Sequence, residues 1–178
     1  ILGDFFDAWI GDDDDRPLAA EVAQGLQALS GNNGPRIYFQ HANRDFLLGD
    51  AYARRCHMTL LPELHVLVLN GERWLLAHGD QFCTDDVAYQ QFRAMVRDHT
   101  WQQAFLAKPL AERRAIAAGL RASSREANSM KAEDIMDVAP AAVLQAMAQT
   151  GATGLIHGHT HRPARHPLAL PGALRGER

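Results

Sequence analysis

The sequence predicts an α/β domain. Three observations carry that expectation: short apolar runs that each end in a polar segment, an amphipathic stretch after Pro17, and two apolar runs joined by Asn70-Gly71. At 178 residues and 19.7 kDa the chain is long enough for one domain with a full core and short for two. Hydrophobic residues at 47% and charged residues at 22% lie in the globular range and exclude disordered and fibrous classes.

The opening Ile1-Leu2-Gly3-Asp4 reads as the exit of a buried strand, with neither an initiator Met nor a signal peptide before it. The expectation is that the beginning is missing. The four aspartates 12–15 read as a solvated turn. Pro17 suits a first helical position, and Leu18, Val22, Leu26 and Leu29 repeat at helical spacing until Gly31-Asn32-Asn33-Gly34 stops the pattern. Ile37-Tyr38-Phe39 is a short buried strand running into Asn43-Arg44-Asp45, followed by a helical stretch over 50–55. Runs 64–69 and 74–77 flank Asn70-Gly71, the dipeptide suited to the positive φ angles of a tight hairpin, so antiparallel pairing is expected with His78 just beyond.

Residues 84–134 turn helical, with Trp101 and Phe105, Leu106 and Leu110, and Ile116 and Leu120 as spaced apolar pairs. This reads as a helical insertion. A further helix over 140–149 ends at Gly151, and Leu155-Ile156 leads into His157-Gly158-His159-Thr160-His161. The tail carries Pro163, Pro167 and Pro171 and shows no closing strand, so the chain is expected to be incomplete at both termini.

The formal charge of −3 gives no support for a nucleic-acid partner. The longest apolar run, 64–69, is far below the roughly 18 residues that cross a bilayer. Cys56 and Cys83 fit a reducing, cytoplasmic compartment better than a disulfide scaffold.

Four polar segments each follow an expected strand: Gly3-Asp4 with Asp7, Asn43-Arg44-Asp45, His78-Gly79-Asp80, and Gly158-His159-Thr160-His161. Strand ends in α/β folds aim side chains into a common crevice. Imidazole, carboxylate and amide donors together favour Mn²⁺, Fe²⁺ or Zn²⁺ over an all-oxygen calcium site. Two such ions about 3.5–4 Å apart can bind a phosphate ester, lower the pKa of a water and stabilise the attacking and leaving oxygens. A lone His-x-His or His-Gly-Asp is usually a satisfied loop histidine. All four segments in one order are hard to generate from packing needs. His41, His57, His65, His99 and His166 read as loop or surface residues.

These segments resemble the calcineurin-like metallophosphoesterases. Within that family the match is nearest to the branch that cleaves UDP-2,3-diacylglucosamine in lipid A biosynthesis. Beyond the metal motifs it is carried by Trp9-Ile10-Gly11-Asp12, Asp45-Phe46-Leu47, Cys83-Thr84-Asp85-Asp86, Glu126-Ala127-Asn128-Ser129, Ile135-Met136-Asp137-Val138 and Arg162-Pro163. The resemblance implies an α/β/β/α sandwich over residues 1–178, with the insertion at about 84–135 as a lid that holds acyl chains. It implies Mn²⁺ as the metal: Asp4 bridging two ions, Asn43, His78 and His159 on one, His161 on the other. It also implies catalytic roles for Asp4, Arg44 and His159, and substrate contacts from Asn43, Arg44, Asp86, Ser124, Asn128, Lys131 and His159. Arg44 stands where many relatives carry a catalytic His; a guanidinium cannot act as a general acid there, but it can hold phosphate oxygens.

Two departures stand out. The family's opening Asp-x-His is absent, which leaves the His161 metal incomplete, and Ala42 replaces a Gly, adding strain of about 1 kcal/mol if that position needs φ > 0. Between Arg93 and Lys131 stand eight basic residues (Arg93, Arg97, Lys108, Arg113, Arg114, Arg121, Arg125, Lys131) against Asp98, Glu112 and Glu126. That excess suits an anionic amphiphile or an acidic membrane surface, and the expected protein is a monomer peripheral to the inner membrane. The expected reaction splits the substrate's pyrophosphate into UMP and 2,3-diacylglucosamine 1-phosphate by in-line attack of water at the α-phosphorus. The alternatives are a phosphodiesterase for a soluble nucleotide and a metal-binding protein with a degenerate site.

Overall fold

Two small sheets carry the chain's chemistry-bearing segments at their strand ends. The computed structural model describes residues 1–129 and 135–168. Strand β1 (Ile37–Phe39) pairs in parallel with β2 (Met58–Leu60), with α2 (Asp50–Arg55) between them. Ile1 adds to the same sheet: its amine donates to the Tyr38 carbonyl at 2.8 Å and its carbonyl accepts the Gln40 N–H at 3.0 Å. The opening residues thus behave as the end of a strand, although too few of them pair to form one.

The second sheet has the order β3 (Leu64–Leu69), β4 (Glu72–Ala77), β5 (Gly154–His157). The first two strands are an antiparallel hairpin and β5 runs parallel to β4. Asn70 and Gly71 sit at φ 53° and 83°, the left-handed pair a two-residue hairpin turn requires. His78 follows β4 directly, as expected.

Helix α1 (Pro17–Ser30) buries Ala19 and Ala23, with Val22 and Leu26 packed against the same core. Leu18 and Leu29, part of the helical repeat in the sequence, are exposed at 58% and 56%: the stripe that faces inward is centred on the small residues. Helices α3 (Val87–Arg97) and α4 (His99–Leu106) open on Asp86 and Asp98, whose carboxylates accept the N–H groups of Tyr89 and Trp101. Helix α5 (Leu110–Ser129) is the longest, and α6 (Pro140–Thr150) stops where Gly151 turns left-handed at φ 64°. Among the described residues no helix is long and apolar enough to cross a membrane. The mixed α/β architecture expected from the sequence is present.

Two cores result. One gathers Phe6, Trp9, Ile10, Phe39, Leu48, Tyr52 and Phe105; the other packs α6 through Val143, Ala146 and Met147 against Leu75, Ala77 and Phe82. Phe105 belongs to the first core at 5% exposure and Trp101 stacks on it at 5.2 Å, so these two insertion aromatics serve packing.

The acidic run is not a solvated turn. Asp12 accepts the backbone N–H groups of Gly49 and Tyr52 and the Trp9 indole N–H, fastening the loop to the start of α2. Asp14 is buried and pairs with Arg16 and Arg114, while Asp13 and Asp15 meet Arg113 and Arg114 of α5. The excess of basic residues in the insertion is therefore largely consumed within the fold. Arg93 and Arg97 likewise pair with Glu63, and Arg93 also with Asp80.

Candidate metal centre

The site forms where the chain leaves Ile1-Leu2, β1, β4 and β5. Gly3 turns left-handed at φ 79° and runs against Ala42: a Cβ on Gly3 would lie 2.3 Å from the Ala42 Cβ. That close approach sets the Asp4 loop beside the Asn43 loop. Ala42 is not among the residues at positive φ, so the strain considered for it from the sequence does not arise. Asp45 clamps the two loops, its oxygens accepting the Phe5 and Ala42 N–H groups at 2.8 Å each. It is fully buried, and burial pushes its carboxyl above the usual range in spite of those bonds. It is thus a scaffold group and does not pair with Arg44.

Within this frame Asp4, His78 and His159 bring one ligand atom each to within 4.8 Å of one another, a group that could hold a metal ion. His78 is 3% exposed, and its Nδ1 lies 2.7 Å from the Leu2 carbonyl. A carbonyl only accepts, so Nδ1 carries the hydrogen and Nε2 presents a lone pair. That lone pair faces Asn43 Oδ1 at 3.0 Å, His159 Nδ1 at 3.2 Å and Asp4 Oδ2 at 3.8 Å. A hydrogen on His159 Nδ1 relieves one of these contacts. The Asn43 oxygen gains nothing from it, and the buried Asp4 Oδ1 has no hydrogen-bond partner. More acceptors than donors converge here, with Asp4 Oδ1 unpartnered, and a cation would satisfy them; the residues present fit one.

Electrostatics agree. Burial, then the neighbouring His78, lowers the His159 pKa to about 4, which keeps its imidazole neutral as a ligand must be. Asp4, His159 and His161 all hold positive φ (52°, 68° and 54°), a conformation that L-residues adopt at a cost and that recurs at functional sites.

Arg44 is partly exposed at the mouth of this group. Its Nε lies 3.8 Å from Asp4 Oδ2 and its Nη1 3.4 Å from Asp7 Oδ1. Arg121 of α5 pairs with the same Asp7. One carboxylate therefore holds a cation from the strand-end loop and another from the insertion.

No protein-family model matches the chain. Curated relatives do. A UDP-2,3-diacylglucosamine hydrolase of Cellvibrio japonicus is 56% identical over 172 residues, covering 97% of this chain and 71% of the relative. Enzymes of the same name from Serratia proteamaculans and Escherichia coli are each 55% identical over 170 and 168 residues, covering 96% and 94% of this chain and 70% of their own length. The chain belongs to the UDP-2,3-diacylglucosamine hydrolase family. It is a hydrolase with a group of side chains able to bind metal.

The other expected site residues of this family member fall in different places. Asn43 joins the group. His161 is exposed and lies outside the three-residue cluster. Asp86 is 7% exposed and caps α3, accepting the Tyr89 N–H at 3.1 Å. Ser124 is exposed on α5, Asn128 lies in the last turn of that helix, and Lys131 lies outside the described residues.

From the sequence, Asp80 stands out only within His78-Gly79-Asp80, and Tyr89 does not stand out at all. Asp80 is 1% exposed and accepts the Tyr89 hydroxyl at 2.7 Å and the Arg93 Nε–H at 3.0 Å. Burial works to raise its pKa, but the Arg93 charge and the Tyr89 hydrogen bond outweigh it and the net shift is downward. The Asp of His-Gly-Asp was the available signal. Its partner nine residues on, Tyr89, had none.

Proposed function

We infer that the chain belongs to an enzyme that hydrolyses UDP-2,3-diacylglucosamine to UMP and 2,3-diacylglucosamine 1-phosphate, a step of lipid A biosynthesis, using two Mn²⁺ ions when complete. The observation that carries this is the convergence of Asp4, Asn43, His78 and His159 on one point, with the buried Asp4 Oδ1 left without a partner, in a chain 55–56% identical to hydrolases of that name. In the reaction a water oxygen joins the uridylyl phosphorus, the P–O bond to the second phosphate breaks, and 2,3-diacylglucosamine 1-phosphate leaves.

Asp4, Asn43, His78 and His159 would hold one ion, with Asp4 and His161 toward the second. Bound ions would lower the pKa of a water and offset phosphate charge. The Leu2 carbonyl fixes the His78 tautomer, which would leave Nε2 as the nitrogen available to an ion. Arg44 cannot protonate the leaving group, but its fork can exchange Asp7 for phosphate oxygens and stabilise their charge in the transition state.

The two sheets and their helices are read as part of an α/β/β/α sandwich, with residues 84–135 as the lid. A cleft of about 340 Å³ between the acidic loop and α5 is lined by Ala8, Ile10 and Ala117 and rimmed by Arg114, Arg121 and Arg125. Asp7 also lines it, and Arg114 and Arg121 already pair with Asp14, Asp15 and Asp7, so an anionic amphiphile would have to exchange with those carboxylates. Substrate contacts are assigned to Asn43, Arg44, Asp86, Ser124, Asn128, Lys131 and His159, and the protein to a monomer working at the inner membrane surface.

The test compares UMP release from UDP-2,3-diacylglucosamine and from a short-chain UDP-sugar, with Mn²⁺. It is run on the 178-residue chain and on a form extended to the length of its relatives, of which it spans 70–71%. Strong preference for the diacylated substrate is expected; equal kcat/KM for the two overturns the reading.

A further inference from the structure

His78 and His159 face the same centre, yet only one of them has an orienting hydrogen bond. His78 is locked through Nδ1 to the Leu2 carbonyl. His159 shows no comparable bond: among the described residues its one polar contact is with His78 Nε2. It also lies in a loop at φ 68°, which gives the ring no help from regular structure. Metal-binding histidines almost always depend on a second group to fix the ring plane. Something else must do so here.

The structure supplies a wall. The His159 ring meets two others: the His78 ring, edge-on at 5.0 Å, and the Tyr89 ring, 5.8 Å away and tilted by 34°. Tyr89 cannot drift, because its hydroxyl donates to Asp80 Oδ2 at 2.7 Å. Asp80 is pinned in turn by Arg93, which reaches Glu63 at 2.8 Å through its other nitrogen, and Gln90 donates to the Asp80 carbonyl at 2.8 Å. Gly79 permits the bend: it sits at φ 117°, and a Cβ there would lie 2.9 Å from His157 Nδ1. The His-Gly-Asp segment thus provides one ligand directly and secures a second through an aromatic ring.

We propose that Tyr89 is a positioning residue: anchored on Asp80, its ring fixes the plane of His159 for metal binding. This rests on the metal-centre reading above. Removing the ring leaves His159 free to rotate about its side-chain bonds. Ordering it again on metal binding then costs entropy that the present structure has already met.

The experiment is a Co²⁺ titration of the 178-residue chain, followed by calorimetry and by the visible spectrum of the bound ion, for wild type, Tyr89→Phe and Tyr89→Leu. Tyr89→Leu should bind Co²⁺ about tenfold or more weakly and with an altered spectrum, as loss of a ligand's orienting partner does. Tyr89→Phe keeps the ring but loses its anchor and should fall between the two. Wild-type affinity and spectrum in folded Tyr89→Leu overturn the proposal. Should that variant not fold, Tyr89→Phe decides alone, and wild-type binding by it has the same consequence. Failure of wild type itself to bind Co²⁺ would instead defeat the metal centre. A purely structural Tyr89 would lower the melting temperature and leave the spectrum of the bound ion as it was.

Discussion

His78 and Asn43 contribute their polar atoms to the centre and little to the cores, so their loss separates activity from folding. His78→Ala or Asn43→Ala should reduce turnover by at least about 100-fold, beyond what loss of an outer partner does, with the circular dichroism spectrum preserved. Wild-type turnover in either variant would remove it from the ligand set. His159 makes a second prediction, for the metal-free protein. Its folded pKa of about 4 lies below the ordinary 6.5, so between those values the unfolded chain binds the extra proton. Stability must then decline as pH falls through that window, by up to about 3 kcal/mol at its lower end. With a chelator present, the urea midpoint should drop from about pH 7 to about pH 4.5, and His159→Asn should flatten that slope. The raised pKa of Asp45 acts in the opposite sense at the acid end. These candidate ligands were legible in the sequence because each closes a short apolar run. The acceptor on Leu2 that sets the His78 tautomer was not, since a backbone carbonyl leaves no trace in residue identity.

Between elements, Arg113 fastens α5 to the acidic loop. Arg113 is 3% exposed and donates to the Ile10 and Lys108 carbonyls and to both Asp13 oxygens. Arg113→Met should cost about 1–3 kcal/mol in urea unfolding, because it leaves the buried Ile10 carbonyl without a donor, while the exposed Asp13 returns to water. Arg114, on the exposed rim of the same clasp, should be nearly silent when changed to Ala. Equal effects from the two would show that burial does not govern the clasp. Sequence periodicity and turn chemistry disclosed α1, the hairpin, α6 and β5, whose signals are local. The clasp joins residues about a hundred positions apart, so the aspartates read as a solvated turn and the arginines as a membrane-facing surface. Each had been the other's partner. Phe105 shows the same limit: an amphipathic helix shows which residues are apolar but not whether lipid or a protein core covers them. Phe105→Ser should therefore cost about 3–5 kcal/mol of stability and depress activity on every substrate alike, measured by urea unfolding beside kcat/KM.

The whole chain should gain stability from metal. Calorimetry on the 178 residues should find one tight equivalent of Mn²⁺, at Asp4, Asn43, His78 and His159, and saturating metal should raise the melting temperature; two tight equivalents would contradict the assignment. Three candidate ligands, Asp4, His159 and His161, hold backbone angles that favour glycine. Each left-handed residue costs roughly 1–2 kcal/mol, so the site is a standing tax on an otherwise ordinary α/β fold. Stability and catalysis are then opposed at these positions, and selection for robustness alone would erode the enzyme. His161, exposed and outside the cluster, shows this most cleanly: His161→Gly should leave the metal-free protein melting higher than wild type while turnover collapses.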